Sequence, residues 1–458
     1  MRTTSPMSSV DRTWLRMDSP DNQMVINALL TFRQPMSRER FKRLLEERFL
    51  RFERFSQRPA QRGWRTVWER CSELDWDYHL QCVDLPEVGS PEIALRRQIN
   101  DGLHRPLDPR HPLWRMELVE EYGRGSAVIV RIHHSYADGI ALVGVIHSMA
   151  DNGAELLETL PGQRSPARTT SVNRSESWRE SLMAIPGAPG LRGLWHYLGR
   201  AGTFLLDTWR LIAMRRDPST RLKTPLGLEK RVAWAEPLPL GRAKAIGREL
   251  GCSLNDVLLG CVAGGLRQEL ERYGDATEGL EVRAAVPYNM RPLNQFERLG
   301  NEFGLVYLPL PAGIADPEER VREVCRRMQA LKGSMQPAVS WFTLKLLGWL
   351  PGSLERVFLN YFSARASAVM TNVPGPQQPI VLDGCEIETP LFWVPRSGDL
   401  GLGISIFSYD GQVHFGVVTD ARQLPEPERL IEAFVAEFAE LDSRFPEVES
   451  GEDKRLSA

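Results

Sequence analysis

Two adjacent imidazoles, and a carboxylate four residues beyond the second, are the side chains of this sequence best suited to moving a proton. They lie in Arg131-Ile132-His133-His134-Ser135-Tyr136-Ala137-Asp138-Gly139-Ile140-Ala141-Leu142, in a chain of 458 residues with only eight histidines. A neutral imidazole in a dry pocket can accept the proton of a hydroxyl near neutral pH. Alternation along a strand puts Val128, Val130 and Ile132 on one side, and His134 continues that side, whereas His133 falls with Ile129 and Arg131. His134 is therefore the ring expected to face inward. Taken without further context, a buried histidine bonded to backbone, with Asp138-Gly139 as a plain turn, would account for the same residues.

The elements that must hold this loop are apolar on both sides. Ala127-Val128-Ile129-Val130 precedes it and Ile140-Ala141-Leu142-Val143-Gly144-Val145-Ile146 follows, so the segment reads as strand, tight loop, helix. Further upstream, Met24 to Leu30 reads as a first strand after a polar start. Ser37 reads as the cap of a helix carrying Phe41, Leu44, Leu45 and Phe49 at helical spacing. Asp75-Trp76-Asp77-Tyr78-His79 reads as an exposed edge strand, and Pro91 to Asn100 as a short helix ended by Gly102. Pro112-Leu113-Trp114 closes a proline-punctuated loop that feeds a strand from Arg115 to Val119.

Length and composition bound the rest. The chain is long enough for two domains with sizeable cores, and the division expected is 1–160, a linker at 161–230, and 231–458. A net charge of −2 with 25% charged residues gives no reason to expect nucleic acid as a partner. The six cysteines are scattered and lack CxxC spacing, which argues against a metal site or a disulfide framework. The N-terminus lacks an apolar h-region, and no run approaches the ~18 apolar residues of a spanning helix. A cytoplasmic protein is expected, with peripheral association at the inner membrane face or at lipid inclusions. That association is assigned to 182–216, because 161–230 holds 12 Lys and Arg against five Asp and Glu, interleaved with Trp195, Trp209 and Phe204. An interdomain helix packed on the protein body would demand the same apolar face.

In the C-terminal part, helices are expected at 241–250 and from Ser253, where Ser253 with Asp256 forms an acidic capping box. Leu280 to Val286 and Phe303 to Leu310 read as strands, Ala368 to Pro376 as a strand ending in a stiff loop, and 317–331 and 425–445 as helices. The apolar stretch 339–362 is broken at Pro351-Gly352. Asp410-Gly411 predicts a type I′ hairpin between 403–408 and 413–418. No GxSxG elbow, phosphate-binding GxxxxGK[ST], or GxGxxG after a strand occurs.

The pattern His133-His134-x-x-x-Asp138-Gly139 resembles the HHxxxDG signature of the CoA-dependent acyltransferase superfamily. Four further stretches resemble its wax ester synthase/diacylglycerol acyltransferase branch, in family order: Pro112-Leu113-Trp114, Asn255-Asp256, Arg291 followed by Gly300-Asn301, and Thr371-Asn372-Val373-Pro374-Gly375. Tyr288 and Asn289 depart from the small residues usual before the arginine. The resemblance implies an α/β (α+β) fold of two domains, each a mixed sheet flanked by helices, with a tunnel at their interface. It also implies that His134 is the general base, supported by His133, and that Asp138 orients the loop through a bidentate pair with Arg291. Gly139, Asn255, Asp256, Thr371 and Asn372 would support the pocket or an oxyanion, and Pro112, Leu113 and Trp114 would contact substrate or brace the catalytic strand. The implied activity is transfer of a fatty acyl group from acyl-CoA, as co-substrate, to diacylglycerol or a long-chain alcohol, with no covalent acyl-enzyme, cofactor or metal.

Alternatives at this point are a condensation-domain-like or polyketide-associated acyltransferase using carrier-protein thioesters, and a non-catalytic lipid-binding protein. Acyl-CoA with hexadecanol or diacylglycerol, assayed against an acyl-carrier substrate, separates the first from the main reading. Lipid binding without acyl transfer would favour the second.

Overall fold

The apolar run ahead of the histidine pair becomes the interior of a sheet. The computed structural model describes residues 4–446 apart from 64, 88, 154, 157–201, 203, 292–298, 333 and 351. In chain order the N-terminal half comprises β1 (Thr4–Pro6), α1 (Ser9–Arg16), β2 (Val25–Phe32), α2 (Arg38–Glu47), β3 (Gln57–Arg62), β4 (Arg65–Arg70), α3 (Trp76–His79), β5 (Leu80–Cys82), α4 (Pro91–Leu103), β6 (Trp114–Tyr122), β7 (Gly125–His133) and α5 (Gly139–Met149). The C-terminal half follows with β8 (Lys230–Trp234), β9 (Leu238–Pro239), α6 (Leu240–Leu250), α7 (Leu254–Arg272), β10 (Val282–Asn289), β11 (Phe303–Leu310), α8 (Pro317–Lys332), α9 (Gln336–Leu347) and α10 (Gly352–Ser363). It closes with β12 (Ala368–Pro374), β13 (Val381–Leu382), β14 (Cys385–Trp393), β15 (Leu402–Tyr409), β16 (Gln412–Asp420) and α11 (Pro427–Arg444). A helical stretch at 204–213 lies between the halves.

Strand β7 pairs antiparallel with β2 on one side and β6 on the other, so its backbone donors and acceptors are taken on both edges. The full sheet has the order β13-β14-β2-β7-β6-β5. Two of its strands therefore come from residues 381–393, beyond the sequence division at 231. The second sheet has the order β11-β10-β12-β15-β16-β8, with β9 on β16, and a small third sheet joins β1, β4 and β3. The C-terminal core lies between the second sheet and α6, α7 and α11. Val257, Ile404, Phe415 and Phe434 meet there, with the Phe415 and Phe434 rings stacked at 3.7 Å. The N-terminal core gathers Phe41, Leu45, Phe55, Trp114 and Val128. Removing these apolar side chains from water is the main term holding each half together.

Local signals act as expected at several ends. The Ser37 side chain caps α2, although Phe49 falls in a 3-10 turn after it. Ser253 and Asp256 form the reciprocal capping box of α7, with Ser253 N donating to Asp256 Oδ2 at 2.9 Å and Asp256 N to Ser253 Oγ at 3.3 Å. The β15–β16 turn has Asp410 and Gly411 both in the left-handed region, at φ 46° and 71°, as a type I′ turn requires.

Other expectations are corrected. Asp75–His79 is no edge strand: Asp75 accepts from the amides of Asp77 and Tyr78 and starts the single turn of α3, leaving His79 fully buried against Trp114. Gly102 does not stop α4, which runs to Leu103. The polar start contains β1 and α1, the latter capped by Ser8 through Asp11 N at 3.0 Å. Strand β10 begins two residues later than expected and runs on through Pro287, Tyr288 and Asn289. Most of the surface segment expected at 182–216, namely 182–201 and 203, lies outside the described residues.

Candidate active site

The loop is held at both ends before any chemistry is considered. At its start, His134 N donates to Met24 O at 2.7 Å, and His133 faces Val25 in the β2–β7 register. At its end, Asp138 is the N-cap of α5, accepting from Ala141 N at 2.8 Å. Between them, Tyr136 is fully buried. Its hydroxyl accepts from Leu113 N at 2.9 Å and donates to Gln57 O at 2.6 Å, tying the loop to the segment ahead of β6.

The C-terminal half clamps the same loop from the other side. Arg291 forms a two-pronged pair with Asp138: Nη1 to Oδ1 at 3.1 Å and Nη2 to Oδ2 at 3.0 Å, with both side chains buried. Asp138 Oδ2 also accepts from Glu302 N at 3.0 Å. Gly300 O accepts from Arg291 Nη2 at 2.8 Å and from Asp138 N at 3.2 Å, and Gly300 pairs with Ala137 in an isolated parallel bridge. Gly300 adopts φ 118°, a conformation that a residue with a Cβ rarely takes. Asn301 Nδ2 donates to His134 O at 2.9 Å and to Asp11 Oδ1 at 3.0 Å, linking α1, the loop and the second half. Asp138 thus spends its lone pairs on Arg291 and on backbone amides, and among the described residues no hydrogen bond joins it to either imidazole.

The two histidines have different surroundings. His133 is buried. Its Nδ1 accepts from Ser135 N at 3.1 Å and lies 2.8 Å from Ser135 Oγ, and its Nε2 is 3.5 Å from Asp18 Oδ2. The His134 ring stacks on Trp14 at 4.1 Å and lies 5.8 Å from the ring of Phe303. Its Nδ1 is enclosed without a hydrogen-bond partner among the described residues. Burial pushes its pKa down to about 4; the Asp138 carboxylate opposes that shift and the neighbouring His133 ring adds to it. The ring is therefore neutral at physiological pH.

His134, Asp138, Gly139 and Ile140 line a cavity of about 440 Å³ whose other walls come from both halves. Trp14, Met17 and Ile26 stand on the N-terminal side, Phe303, Leu344 and Phe362 on the C-terminal side, and Thr371 and Asn372 on β12. The lining is mostly apolar, as a lipid chain requires. Thr371 Oγ1 is buried without a hydrogen-bond partner among the described residues, and Asn372 Nδ2 donates to Asn255 Oδ1 at 2.7 Å. Asn255 stands behind Asn372 and does not reach the lining, and Asp256 is occupied by the capping box. Pro112, Leu113 and Trp114 also stand away from the cavity: Trp114 is fully buried in the N-terminal core with Nε1 on Phe55 O at 2.8 Å, and Leu113 O accepts from His133 N at 2.9 Å.

Trp14 and Asp11 are not singled out by the sequence, and Asn301 is singled out there only as part of the Gly300-Asn301 stretch, without a role. The pattern Ser8-x-x-Asp11, with Val10 inside it and Trp14 three residues beyond, was the available sign of a short capped helix.

Residues 7–258 match the wax ester synthase/diacylglycerol acyltransferase catalytic domain, and residues 299–442 match the WS/DGAT C-terminal domain. The chain belongs to this family. It is an acyltransferase that moves an acyl group to a lipophilic alcohol. Among WS/DGAT relatives, a probable diacylglycerol O-acyltransferase of Mycobacterium tuberculosis (strain ATCC 25618 / H37Rv) is 27% identical over 441 residues, covering 92% of this chain and 95% of the relative. The fold is similar to that of the wax ester synthase/diacylglycerol acyltransferase from Marinobacter aquaeolei VT8, with a TM-score of 0.64 and 21% identity over 96% of this chain and 99% of that one. It is also similar to the first condensation domain of the CDA synthetase, with a TM-score of 0.60 and 17% identity over 96% of each chain. No helix among the described residues is long and apolar enough to cross a membrane, and no group of three or more metal-binding side chains occurs among them.

Proposed function

We propose that this acyltransferase uses His134 as a general base to esterify a fatty alcohol or diacylglycerol with the acyl group of acyl-CoA, in one displacement without an acyl-enzyme. The observation that carries this reading is a neutral, buried imidazole lining a mostly apolar cavity at the seam of the two halves. With Nδ1 enclosed, Nε2 is the nitrogen assigned to the reaction. It takes the hydroxyl proton as the alcohol oxygen bonds to the thioester carbonyl carbon. The resulting tetrahedral oxyanion then collapses, the carbon–sulfur bond breaks, and the proton passes from Nε2 to the departing sulfur to give CoA thiol and the ester. A thioester is already activated, so one positioned base, contributing about 10²- to 10⁴-fold, suffices without metal or cofactor.

The oxyanion needs donors. The first turn of α5 supports this role, since Gly139 and Ile140 border the cavity beside His134 and the positive end of the helix dipole lies there. The Thr371 hydroxyl is a further donor on the opposite wall. Asp138 and Arg291 hold the loop and take no proton.

The test is His134→Ala, assayed with labelled palmitoyl-CoA and with hexadecanol and diacylglycerol in competition, products being separated by thin-layer chromatography. Ester formation is expected to fall by about 10²- to 10⁴-fold with an unchanged circular dichroism spectrum. Undiminished turnover by the folded variant removes His134 from the reaction.

A further inference from the structure

We infer that the outer faces of the stretch 204–216, α9 and α10 form one docking surface for an anionic lipid bilayer, through which the lipid acceptor reaches the catalytic cavity. The three segments are adjacent. The Phe204 and Phe342 rings approach to 6.5 Å, the Tyr361 hydroxyl donates to Ile212 O, and Arg365 Nε donates to Met214 O at 2.7 Å. Their inner faces supply Leu211, Leu344, Leu347, Leu359 and Phe362 to the cavity wall.

The outer faces are apolar where water would be expected to select polar residues. Trp349, in the turn between α9 and α10, is 74% exposed; Leu205 is 67%, Trp209 65% and Val357 64%. Phe342, Leu346 and Phe358 extend the same patch. Exposed large apolar residues scattered singly need no explanation, but these gather on neighbouring segments around one cavity. At 12 residues each, α9 and α10 are too short to cross a bilayer, which leaves them lying in its surface.

Charge selects the occupant. Arg215, Arg216, Lys345 and Arg356 are exposed, and none of them forms an ion pair among the described residues. The two carboxylates within these segments are withdrawn: Asp207 is buried and accepts from Met335 N at 2.7 Å, and Glu355 is buried and paired with Arg16 at 3.4 Å. An apolar face bordered by unpaired cations and free of exposed carboxylates fits anionic headgroups with acyl chains beneath them. The other half of the expected surface segment, 182–201, is not needed for this surface.

The inference rests on the acyl-transfer reading only for the purpose of docking; binding itself does not depend on His134. The experiment is flotation of the full chain with vesicles of phosphatidylcholine alone and of equimolar phosphatidylcholine and phosphatidylglycerol. Wild type and His134→Ala are expected to float equally, and better with the anionic vesicles. The double variant Trp349→Ser/Val357→Ser is expected to lose binding about ten- to a hundredfold with both compositions. Lys345→Glu/Arg356→Glu is expected to lose at least about fivefold, with the anionic vesicles only. With vesicle-borne diacylglycerol the first pair is expected to lose turnover, while with a short soluble alcohol it keeps it. Unchanged flotation of the Trp349/Val357 variant overturns the inference. So does absence of wild-type flotation with either vesicle, whether residues 157–201 or a second copy of the chain then covers the face.

Discussion

Two buried arginine–carboxylate pairs invite comparison. Arg320 meets Glu437 inside the C-terminal half, with its remaining nitrogens on Gly260 O at 3.0 Å, Ile314 O at 2.7 Å and Ala315 O at 3.0 Å, so it ties α7, α8 and α11 together. Arg291 meets Asp138 across the two halves, with Gly300 O as its further acceptor. The chemistry within each pair is nearly the same, and both protect buried charge. What differs is the neighbourhood. Four residues from Asp138 stands an imidazole bordering an apolar cavity, whereas the surroundings of Glu437 are structural. A buried ion pair is thus no mark of a reactive site by itself; the distinguishing feature here is the cavity lined by the neighbouring imidazole.

The sharpest way to break this comparison is to remove each arginine. Arg291→Met and Arg320→Met each leave a buried carboxylate unpaired and are expected to cost about 3–5 kcal/mol in urea unfolding. Only Arg291→Met is also expected to lower turnover per folded molecule, because it frees the loop that carries His134. Equal turnover losses in the two variants would erase the distinction.

A second test uses pH and contrasts His134 with His414, a buried ring in β16 with no hydrogen-bond partner on either nitrogen among the described residues. Burial lowers both pKa values from 6.5 to about 4. Above pH 6.5 each ring is neutral whether the chain is folded or not, so neither makes stability depend on pH. Between 6.5 and 4 the unfolded chain binds a proton that the folded chain refuses, and stability falls as pH falls, by up to roughly 3 kcal/mol per ring. His414→Phe is expected to flatten that fall and to leave the pH profile of kcat/KM untouched. The acid limb of that profile is expected near pH 4, following His134, rather than near 6.5.

The smallest effect expected is at the cap of α7. Ser253→Ala removes the acceptor for Asp256 N and is expected to cost about 1 kcal/mol in thermal unfolding, with kcat unchanged. A fall in kcat there would mean that Asn255, behind Asn372, transmits the position of α7 to the cavity wall.

Much of the site was legible because its signals are local. The apolar strand ahead of His133, the Asp138-Gly139 start of α5 and the strand at 303–310 fall where the sequence pattern put them, and the strand read from Ala368 ends at Pro374. Helix α1 was missed because eight residues with three apolar side chains, Val10, Trp14 and Leu15, give too short a pattern to stand out from a polar terminus. Asp75–His79 misled because alternating aromatic and polar residues suit a strand, yet the Asp75 carboxylate caps a helical turn and prevails over that pattern. The pairing of β14 with β2 is a relation between residues more than 350 apart, which no local window reports. The placement of Pro112-Leu113-Trp114 behind the loop, rather than beside the cavity, likewise depends on how strands from distant segments assemble.

That distant strand has a bearing on how the protein is made. Until Trp393 has left the ribosome, the β2 side of the nascent N-terminal sheet offers unpaired amides and carbonyls to any passing extended chain. The catalytic half can complete itself only after nearly all of the polypeptide has been translated, so an early stop or an engineered fragment ending before β13 yields a sticky, unfinished edge instead of a smaller enzyme.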